Sequence, residues 1–264
     1  MKKAKVFGLF YDKNKERAVS VASRIYQFLG EAQCDVLTQD VLENQTDAII
    51  TLGGDGFVLS VADLIAEEGL EIPIARINFG NVGFLTNVRP EKEAVVSMIK
   101  DLLSGNYSVE KRSRIEVVVS RKNRLILRFG ALNDVVVKSV SAKTLPLSVI
   151  LVDQNEHEIR MASVGDGLII ATRTGSTAYN KSAGGPRIED ENQVVVTPIC
   201  PAERAELKYP MIMSIRDVIG ITEIPNKGAI LTADGRLLRH LSGLDEISVS
   251  NSPKKTLFAK FKKQ

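Results

Sequence analysis

The sequence predicts two domains: an N-terminal α/β domain on a doubly wound, Rossmann-like parallel sheet, and a mainly antiparallel β domain at the C-terminus. Three observations support this prediction. Up to Gly105, apolar runs of strand length alternate with stripes of helical period. After Gly105, short β-rich runs are separated by turn residues, without a good amphipathic helix. The length of 264 residues suits one large or two modest domains.

The N-terminal pattern begins with an apolar run at 4–10 and a helical stripe from Ala18 to Ala32, which Asn14 is placed to cap. The elements expected after it are strands at 36–37, 48–52 and 73–77, a helix over about 57–66, and a helix from Pro90 to Gly105. Because the connections between these alternating elements are short, they favour a parallel sheet with helices on both faces.

The C-terminal pattern is one of short β-rich runs, at 115–119, 125–129, 132–137, 147–152, 168–171, 194–196, 211–215, 218–221 and 230–231. The turn-rich stretch before them marks a boundary, so we expect an α/β domain at 1–106 and a β-rich domain at 107–250. Residues 251–264 mix apolar residues with lysines, and we expect them to form a strand that returns to the N-terminal domain.

The composition narrows the function classes. A hydrophobic fraction of 44%, a charged fraction of 25% and no run long enough to cross a bilayer indicate a cytoplasmic enzyme without a membrane partner. The net charge of +3 gives no reason to expect a nucleic-acid partner. Cys34 and Cys200 are too few for a disulfide framework or a zinc site. Since His157 and His240 are the only histidines, we expect a carboxylate to carry any acid–base chemistry.

Four stretches are more polar and richer in glycine than the apolar runs beside them. They are 53–56, 78–86, 132–134 and 165–186. Each alone is more often a structural turn or a helix cap than a site. Together they supply many hydrogen-bond donors, which suit the phosphates and ribose hydroxyls of a nucleotide. The chain has no P-loop motif and no well-formed G-x-G-x-x-G, so an ordinary dinucleotide oxidoreductase is disfavoured.

Several motifs in order closely resemble those of the NAD kinases. They are Gly53-Gly-Asp-Gly56, Asn133-Asp134, the block from Asp166 through Thr174-Gly-Ser-Thr-Ala-Tyr179 to Ser182-Ala-Gly-Gly185, Thr197-Pro-Ile-Cys-Pro201 and Asp234-Gly235. The resemblance covers roughly residues 4–250, and the Thr-Gly-Ser-Thr-Ala-Tyr block is its most specific part. It implies the same two-domain fold and a kinase that phosphorylates the adenosine-ribose 2′-hydroxyl of NAD to give NADP.

The resemblance gives Asp55 the role of catalytic residue, accepting the proton of the 2′-hydroxyl. Gly53, Gly54 and Gly56 would let the phosphates of ATP or polyphosphate approach the backbone. It also implies a divalent ion, Mg²⁺, held mainly by the donor phosphates and not by protein metal ligands. The expected partners are NAD, the phosphate donor and further copies of the chain in a homodimer or homotetramer.

The resemblance also implies a set of NAD-binding residues. Asn133 and Asp134 would hold the adenine and ribose side, and Asp166 would contact the nicotinamide half across a subunit interface. Phe84 would form an apolar wall. The remaining residues expected to bind NAD are Gly56, Thr174, Thr177, Ala178, Tyr179 and Ser182.

Three positions depart from the family pattern. Phe57 replaces a common Thr beside the phosphates, Arg173 replaces a Pro in the second loop, and Val164 replaces a basic residue. Arg173 is either a solvated loop charge or an extra phosphate contact. Two alternatives stay open: a related lipid or sugar kinase, which would lack the block 174–179, and a non-catalytic NAD-binding sensor on the same fold.

Overall fold

A computed structural model of the chain describes residues 6–37, 45–80, 85, 88–226 and 228–262. The chain divides into two compact units: unit 1 contains residues 1–112 and 255–264, and unit 2 contains residues 113–254. The division thus falls a few residues later than the boundary expected at 106. Among the described residues, no helix combines the length and apolar character needed to cross a membrane.

Unit 1 is an α/β unit. Its elements are β1 (Val6–Tyr11), α1 (Glu16–Glu31), β2 (Asp35–Leu37), β3 (Ala48–Gly53), α2 (Asp55–Glu67), β4 (Ile74–Asn78) and α3 (Lys92–Ser104). The four strands are parallel in the order β2-β1-β3-β4. The C-terminal part of a long last strand adds to β4, also in parallel, where Phe258 is opposite Ile74.

The core of unit 1 lies between this sheet and two of its helices. Apolar residues of β1, β3 and β4 form one buried cluster with the stripes of α1 and α3, which include Ile25, Leu29, Ile99 and Leu102. Fully burying such an aliphatic side chain is worth about 1.5–3 kcal/mol, so this cluster fixes the helices on the sheet. The buried residues of α2 lie outside the cluster, as expected when helices cover both faces.

The helix ends of unit 1 bear out one prediction and correct another. Helix α3 ends at Gly105, whose φ of 72° is the left-handed conformation that glycine adopts without strain. The N-cap of α1 is Lys15, not Asn14. The prediction of an Asn14 cap is wrong because the side chain of Asp12 makes the local turn instead, accepting the backbone N–H of Asn14 at 3.1 Å.

The strand order creates a crevice at the carboxyl ends of β1 and β3. From β1 the chain continues to β2 on one side, and then crosses to β3 on the other side. At such a switch point the loops that follow the two neighbouring strands diverge, and open α/β sheets bind ligands there. The loop after β1 and the glycine loop after β3 flank this crevice.

Unit 2 is built from antiparallel strands and one very short helix. Its elements are β5 (Ser108–Arg121), β6 (Arg124–Ala131), β7 (Asp134–Ser139), β8 (Leu145–Val152), β9 (Glu158–Gly165), β10 (Gly167–Thr172), α4 (Tyr179–Ser182), β11 (Gln193–Ile199), β12 (Met211–Ser214), β13 (Val218–Thr222), β14 (Ala229–Ala233), β15 (Arg236–His240) and β16 (Asp245–Lys260). Strands β5 and β16 also contribute residues to unit 1.

Two sheets organise unit 2. One has the order β12-β11-β10-β7-β14-β15, and in the other the N-terminal part of β16 pairs with β13, followed by β8 and β9. Strand β5 pairs with β6. Inward-facing aliphatic residues of both sheets, such as Val137, Leu168 and Val249, form one buried cluster. The α/β unit and the antiparallel unit confirm the predicted fold class.

Candidate active site

The glycine loop of unit 1 places a carboxylate at the start of a helix. Gly53 ends β3, Gly54 is the N-cap of α2, and Asp55 is the first residue of that helix. One carboxylate oxygen of Asp55 accepts the backbone N–H of Leu85 at 3.2 Å. A negative side chain is favoured in the first helical turn because free backbone N–H groups and the helix dipole stabilise it.

Glycine occurs at the three positions of this loop for different physical reasons. A methyl group on Gly53 would lie 2.7 Å from the side chain of Phe57, so Gly53 makes room for that ring. Among the described residues, the nearest neighbours of a methyl group on Gly54 would be the Cα of Gly80 at 3.7 Å and the Nζ of Lys15 at 4.0 Å. No atom of the described residues lies within 4 Å of the corresponding position on Gly56. The backbone at Gly54 and Gly56 is therefore accessible to a ligand.

Lys15 brings a positive charge to the same loop. It lies at the start of α1, after β1, and its Nζ donates a hydrogen bond to the carbonyl of Phe79 at 3.0 Å. No carboxylate pairs with it in the part of the chain that the structure describes. Sequence reasoning missed Lys15 because its proximity to Gly54 depends on the order β2-β1-β3. A lysine directly after the first strand was the only signal.

A second cation, Arg76, influences Asp55. Arg76 is a buried residue of β4, and its guanidinium carbon lies 3.9 Å from the ring centre of Phe258. Burial lowers the pKa of Arg76 to about 10, while the negative charges of Glu110 and Asp55 oppose this decrease. Arg76 therefore remains protonated at neutral pH and contributes positive charge to the surroundings of Asp55.

In unit 2, the segment Leu132–Asp134 enters strand β7. Asp134 is buried, and the carboxamide oxygen of Asn133 is buried with no hydrogen-bond partner among the described residues. The same is true of the hydroxyl of Thr174. Leaving a buried polar atom unpaired costs about 1–3 kcal/mol, so these two atoms are suited to bind a polar ligand.

The loop after β10 packs against this segment. It forms a 3-10 turn at Gly175–Thr177 and continues into α4. A side chain on Gly175 would collide with the backbone carbonyl of Asn133, so glycine allows the loop to lie directly on that residue. The loop thus brings Thr174 and Asn133 into one cluster.

Polar side chains inside this loop hold its shape. The hydroxyl of Ser176 donates to the carbonyl of Arg173 at 2.8 Å, and Asn180 accepts the hydroxyl of Thr197 at 2.6 Å. These contacts account for the buried members of the motif. Other predicted site residues are open to solvent to different degrees: Thr177 and Ala178 are half-buried, and Tyr179 and Ser182 are exposed.

The remaining predicted positions have separate surroundings. Asp166 is exposed in the tight connection between β9 and β10, and Val164 is buried two residues before it. Phe84 lies outside the described residues. Arg173 is neither a solvated charge nor free for a phosphate, because its guanidinium pairs with Glu191 at 2.8 Å.

Two buried carboxyl groups lie next to each other in unit 2. Burial raises the pKa of Asp134 to about 7, and the negative charge of Asp234 adds to the increase. Burial also raises the pKa of Asp234, but backbone hydrogen bonds and Arg114 oppose this by stabilising its charged form. Asp134 therefore keeps its proton up to about pH 7, while the backbone hydrogen bonds and Arg114 favour the charged form of Asp234.

The site residues fall into two groups. Unit 1 contains Asp55, Gly53, Gly54 and Gly56 with Lys15, and unit 2 contains the other described residues predicted to bind NAD. Within the described ranges, no group of three His, Cys, Asp or Glu side chains could form a metal cage.

Comparisons with known proteins identify relatives of the whole chain. Residues 37–107 match the ATP-NAD kinase N-terminal domain, and residues 132–261 match the ATP-NAD kinase C-terminal domain. An NAD kinase from Pyrococcus furiosus is 31% identical, over 98% of this chain and 95% of the relative.

Two solved structures have a similar fold. The crystal structure of an Archaeoglobus fulgidus NAD kinase in complex with ATP has a TM-score of 0.73 at 27% identity, over 97% of this chain and 94% of that one. Yeast NADH kinase complexed with NADH has a TM-score of 0.83 at 21% identity, over 100% of this chain and 85% of that one. Because the yeast protein shares only 21% identity with this chain, its similarity is evidence for the fold alone.

Proposed function

The chain belongs to the NAD kinase family, and we propose that Asp55 is the residue that accepts the proton of the 2′-hydroxyl of NAD. As an NAD kinase, the protein transfers a phosphoryl group from ATP to NAD and forms NADP. The observation that carries the proposal is the position of Asp55. Its carboxylate starts α2 among glycines at the switch point of a parallel sheet.

Asp55 acts mainly by orienting the hydroxyl. A carboxylate is a weak base toward an alcohol, so it accepts the proton late, as the new P–O bond forms. Phosphoryl transfer depends largely on positioning and on neutralising charge. The hydrogen bond from Leu85 holds one oxygen of Asp55, and Arg76 adds positive charge to its surroundings.

The donor phosphates bind at the open backbone of Gly54 and Gly56. Neither glycine carries a side chain that could cover its backbone, and the start of α2 provides backbone N–H groups that favour an anion. Lys15 adds a positive charge beside Gly54 that no described carboxylate neutralises. Gly53 has the different task of accommodating Phe57.

NAD binds to the cluster in unit 2. The unpaired oxygens of Asn133 and Thr174 provide a buried acceptor and a hydroxyl, and the carboxyl group of Asp134 suits a ribose hydroxyl. Thr177, Ala178, Tyr179 and Ser182 border the adenosine, with exposures that leave them accessible to it. Gly56 and Phe84 complete the proposed NAD-binding residues.

Three further features belong to the proposal. The protein is cytoplasmic, and it works as a homodimer or homotetramer in which the exposed Asp166 contacts NAD bound to a neighbouring subunit. Mg²⁺ is held mainly by the donor phosphates. When bound, it neutralises negative charge on the transferred group.

The test measures NADP formation with NAD, Mg²⁺ and either ATP or polyphosphate, for the parent protein and for Asp55→Asn. We expect the variant to lose at least about a hundredfold in kcat while NAD still binds, because a base contributes about that much. Glu67→Gln, which changes an exposed carboxylate at the other end of α2, is the matched control and should retain full activity.

Either of two results would contradict the proposal. Equal turnover by Asp55→Asn and the parent would remove Asp55 from the chemistry. Binding of NAD without turnover by either protein, with both donors, would favour the sensor hypothesis.

A further inference from the structure

The turn between β14 and β15 contains a half-buried aspartate with no role in the function described so far. Asp234 and Gly235 form the two-residue loop of this hairpin, with left-handed φ angles of 48° and 77°. Asp-Gly is a favoured sequence for such a turn. A hairpin turn does not require that the carboxylate be buried, however, and burying a charge is costly unless it is well hydrogen-bonded.

The carboxylate of Asp234 is hydrogen-bonded to a distant segment of the chain. Its two oxygens accept the backbone N–H groups of Leu132 at 2.8 Å, Asn133 at 2.7 Å and Asp134 at 3.1 Å. The backbone N–H of Asp234 in turn donates to the carbonyl of Asp134 at 3.0 Å. These four hydrogen bonds join the hairpin to residues about a hundred positions earlier.

The backbone carbonyl groups of Leu132 and Asn133 are hydrogen-bonded by another residue, Thr172. The backbone N–H of Thr172 donates to the carbonyl of Asn133 at 2.9 Å, and the hydroxyl of Thr172 donates to the carbonyl of Leu132. Gly175 packs directly on Asn133. The backbone that carries Asn133 and Asp134 is therefore fixed on both sides, with Asp234 accepting the N–H groups of residues 132, 133 and 134.

We propose that Asp234 is a positioning residue for NAD, whose carboxylate holds the backbone of Asn133 and Asp134 in place. This inference rests on the proposed roles of Asn133 and Asp134. Asp234 acts through the backbone and through its charge, and it does not itself touch the substrate.

The charges around Asp134 predict that the KM for NAD depends on pH. Within the described part of unit 2, burial raises the pKa of Asp134 and the negative charge of Asp234 adds to the increase, while the buried guanidinium of Arg114 stabilises the charge on Asp234. An ionised Asp134 accepts a hydrogen bond from a ribose hydroxyl more strongly than the neutral acid does. The KM for NAD should therefore decrease as the pH rises through about 7.

The experiment compares the pH profile of KM for NAD in the parent protein, Asp234→Asn and Asp234→Glu. Asn retains one oxygen but removes the charge, so we expect a KM increase of about tenfold and a midpoint about one pH unit lower. Glu retains the charge but moves the carboxylate, so we expect a higher KM with an unchanged midpoint. The KM for ATP should stay within about twofold in both variants.

Asp153→Asn is the matched control. Asp153 occupies the turn between β8 and β9, and its carboxylate also accepts backbone N–H groups, from Asn155 and His157. Its side chain is 42% exposed and its contacts are local, so its replacement should leave both the KM for NAD and the midpoint unchanged. Circular dichroism of each variant checks that it is folded.

Asn133→Ala and Asp134→Asn separate this inference from the proposed function. If neither changes the KM for NAD, the proposed NAD site itself is wrong. If both raise it, but Asp234→Asn and Asp234→Glu behave like Asp153→Asn, the positioning role of Asp234 is refuted. If Asp234→Asn does not fold, Asp234→Glu decides, because a KM for NAD equal to that of the parent would refute the role.

Discussion

At the scale of single residues, the question is how a loop suited to phosphates can contain the negative charge of Asp55. Two cations lie close to this loop. Arg76 is buried near Asp55, and Lys15 lies next to Gly54. Positive charge on these two side chains offsets the negative charge of Asp55, which fits the proposed binding of the donor phosphates at the neighbouring backbone.

Lys15 provides a test of the donor site. Lys15→Met retains the length of the side chain and removes its charge, so we expect the KM for ATP to increase about tenfold, as for the loss of one charge-assisted hydrogen bond. The KM for NAD should not change, because Asn133, Asp134 and Thr174 remain. Steady-state kinetics with each substrate varied in turn measures both constants.

Lys13→Met is the control for this prediction. Lys13 lies in the same loop but is exposed, and so its replacement removes the same charge without affecting Gly54. Equal increases in the KM for ATP in the two variants would mean that Lys15 acts only through general electrostatic attraction.

At the scale of elements, the glycine loop shows why sequence reasoning located the site but not the reason for each glycine. The run Gly53-Gly-Asp-Gly56 indicated close approach of a ligand, which fits Gly54 and Gly56. Gly53 instead accommodates the ring of Phe57 in the first turn of α2. This contact depends on where the helix begins, which patterns of residues specify only within a few positions.

The two functions of the glycines can be separated by alanine. Gly53→Ala should destabilise the protein by about 1–3 kcal/mol, because the new methyl group overlaps Phe57. Gly54→Ala should leave the stability within about 1 kcal/mol, because its nearest neighbours are at 3.7 Å and 4.0 Å, but it should raise the KM for ATP. Urea unfolding and steady-state kinetics measure the two effects.

The opposite result would exchange the two roles. In that case Gly54→Ala would be destabilised, whereas Gly53→Ala would be stable but would bind ATP weakly. Gly53→Ala combined with Phe57→Ala serves as the control. Removing the ring should restore part of the stability that Gly53→Ala loses.

Elements with clear periodicity were predictable, and those defined by tertiary contacts were not. The stripe of α1 and the apolar run of β3 appear as expected, because each buries a continuous apolar face. Strands β9 and β15 were missed, since Glu158–Gly165 and Arg236–His240 are partly exposed and carry charged residues. Their strand structure comes from pairing with β8 and β14.

The position of Arg173 also required the structure. Sequence comparison left it as a solvated charge or a phosphate ligand, whereas its partners are Glu191 and Glu189. Glu191 also accepts the backbone N–H of Ser113 at 2.7 Å. Arg173 thereby ties the loop after β10 to the segment before β11, a long-range contact that no local pattern indicates.

At the scale of the whole molecule, the two substrates correspond to the two units. The groups assigned to the phosphate donor belong to unit 1, and most of those assigned to NAD belong to unit 2. The predicted order of domains followed from hydrophobic periodicity. The roles of Lys15 and Asp234 did not, because each depends on residues far away in the sequence.

The buried pair Asp134 and Asp234 should also make the stability of the folded chain depend on pH. An acid whose pKa is raised on folding binds more protons in the folded state than in the unfolded state, between its ordinary pKa and the raised value. For Asp134 this window extends from 3.8 to about 7. The free energy of unfolding should therefore decrease with rising pH, by about 2 kcal/mol between pH 5 and pH 7.

Asp245 contributes with the opposite sign, because its pKa is lowered by hydrogen bonds and by Arg121 and Arg239, but that contribution changes only below its ordinary pKa. Urea unfolding at half-unit steps from about pH 5 to pH 7.5 isolates the effect of the pair. In Asp134→Asn the decrease should largely disappear, whereas Asp153→Asn should retain it. A parent protein whose free energy of unfolding stays constant or rises over this range would contradict the raised pKa, and an equal decrease in Asp134→Asn would assign the proton to another group.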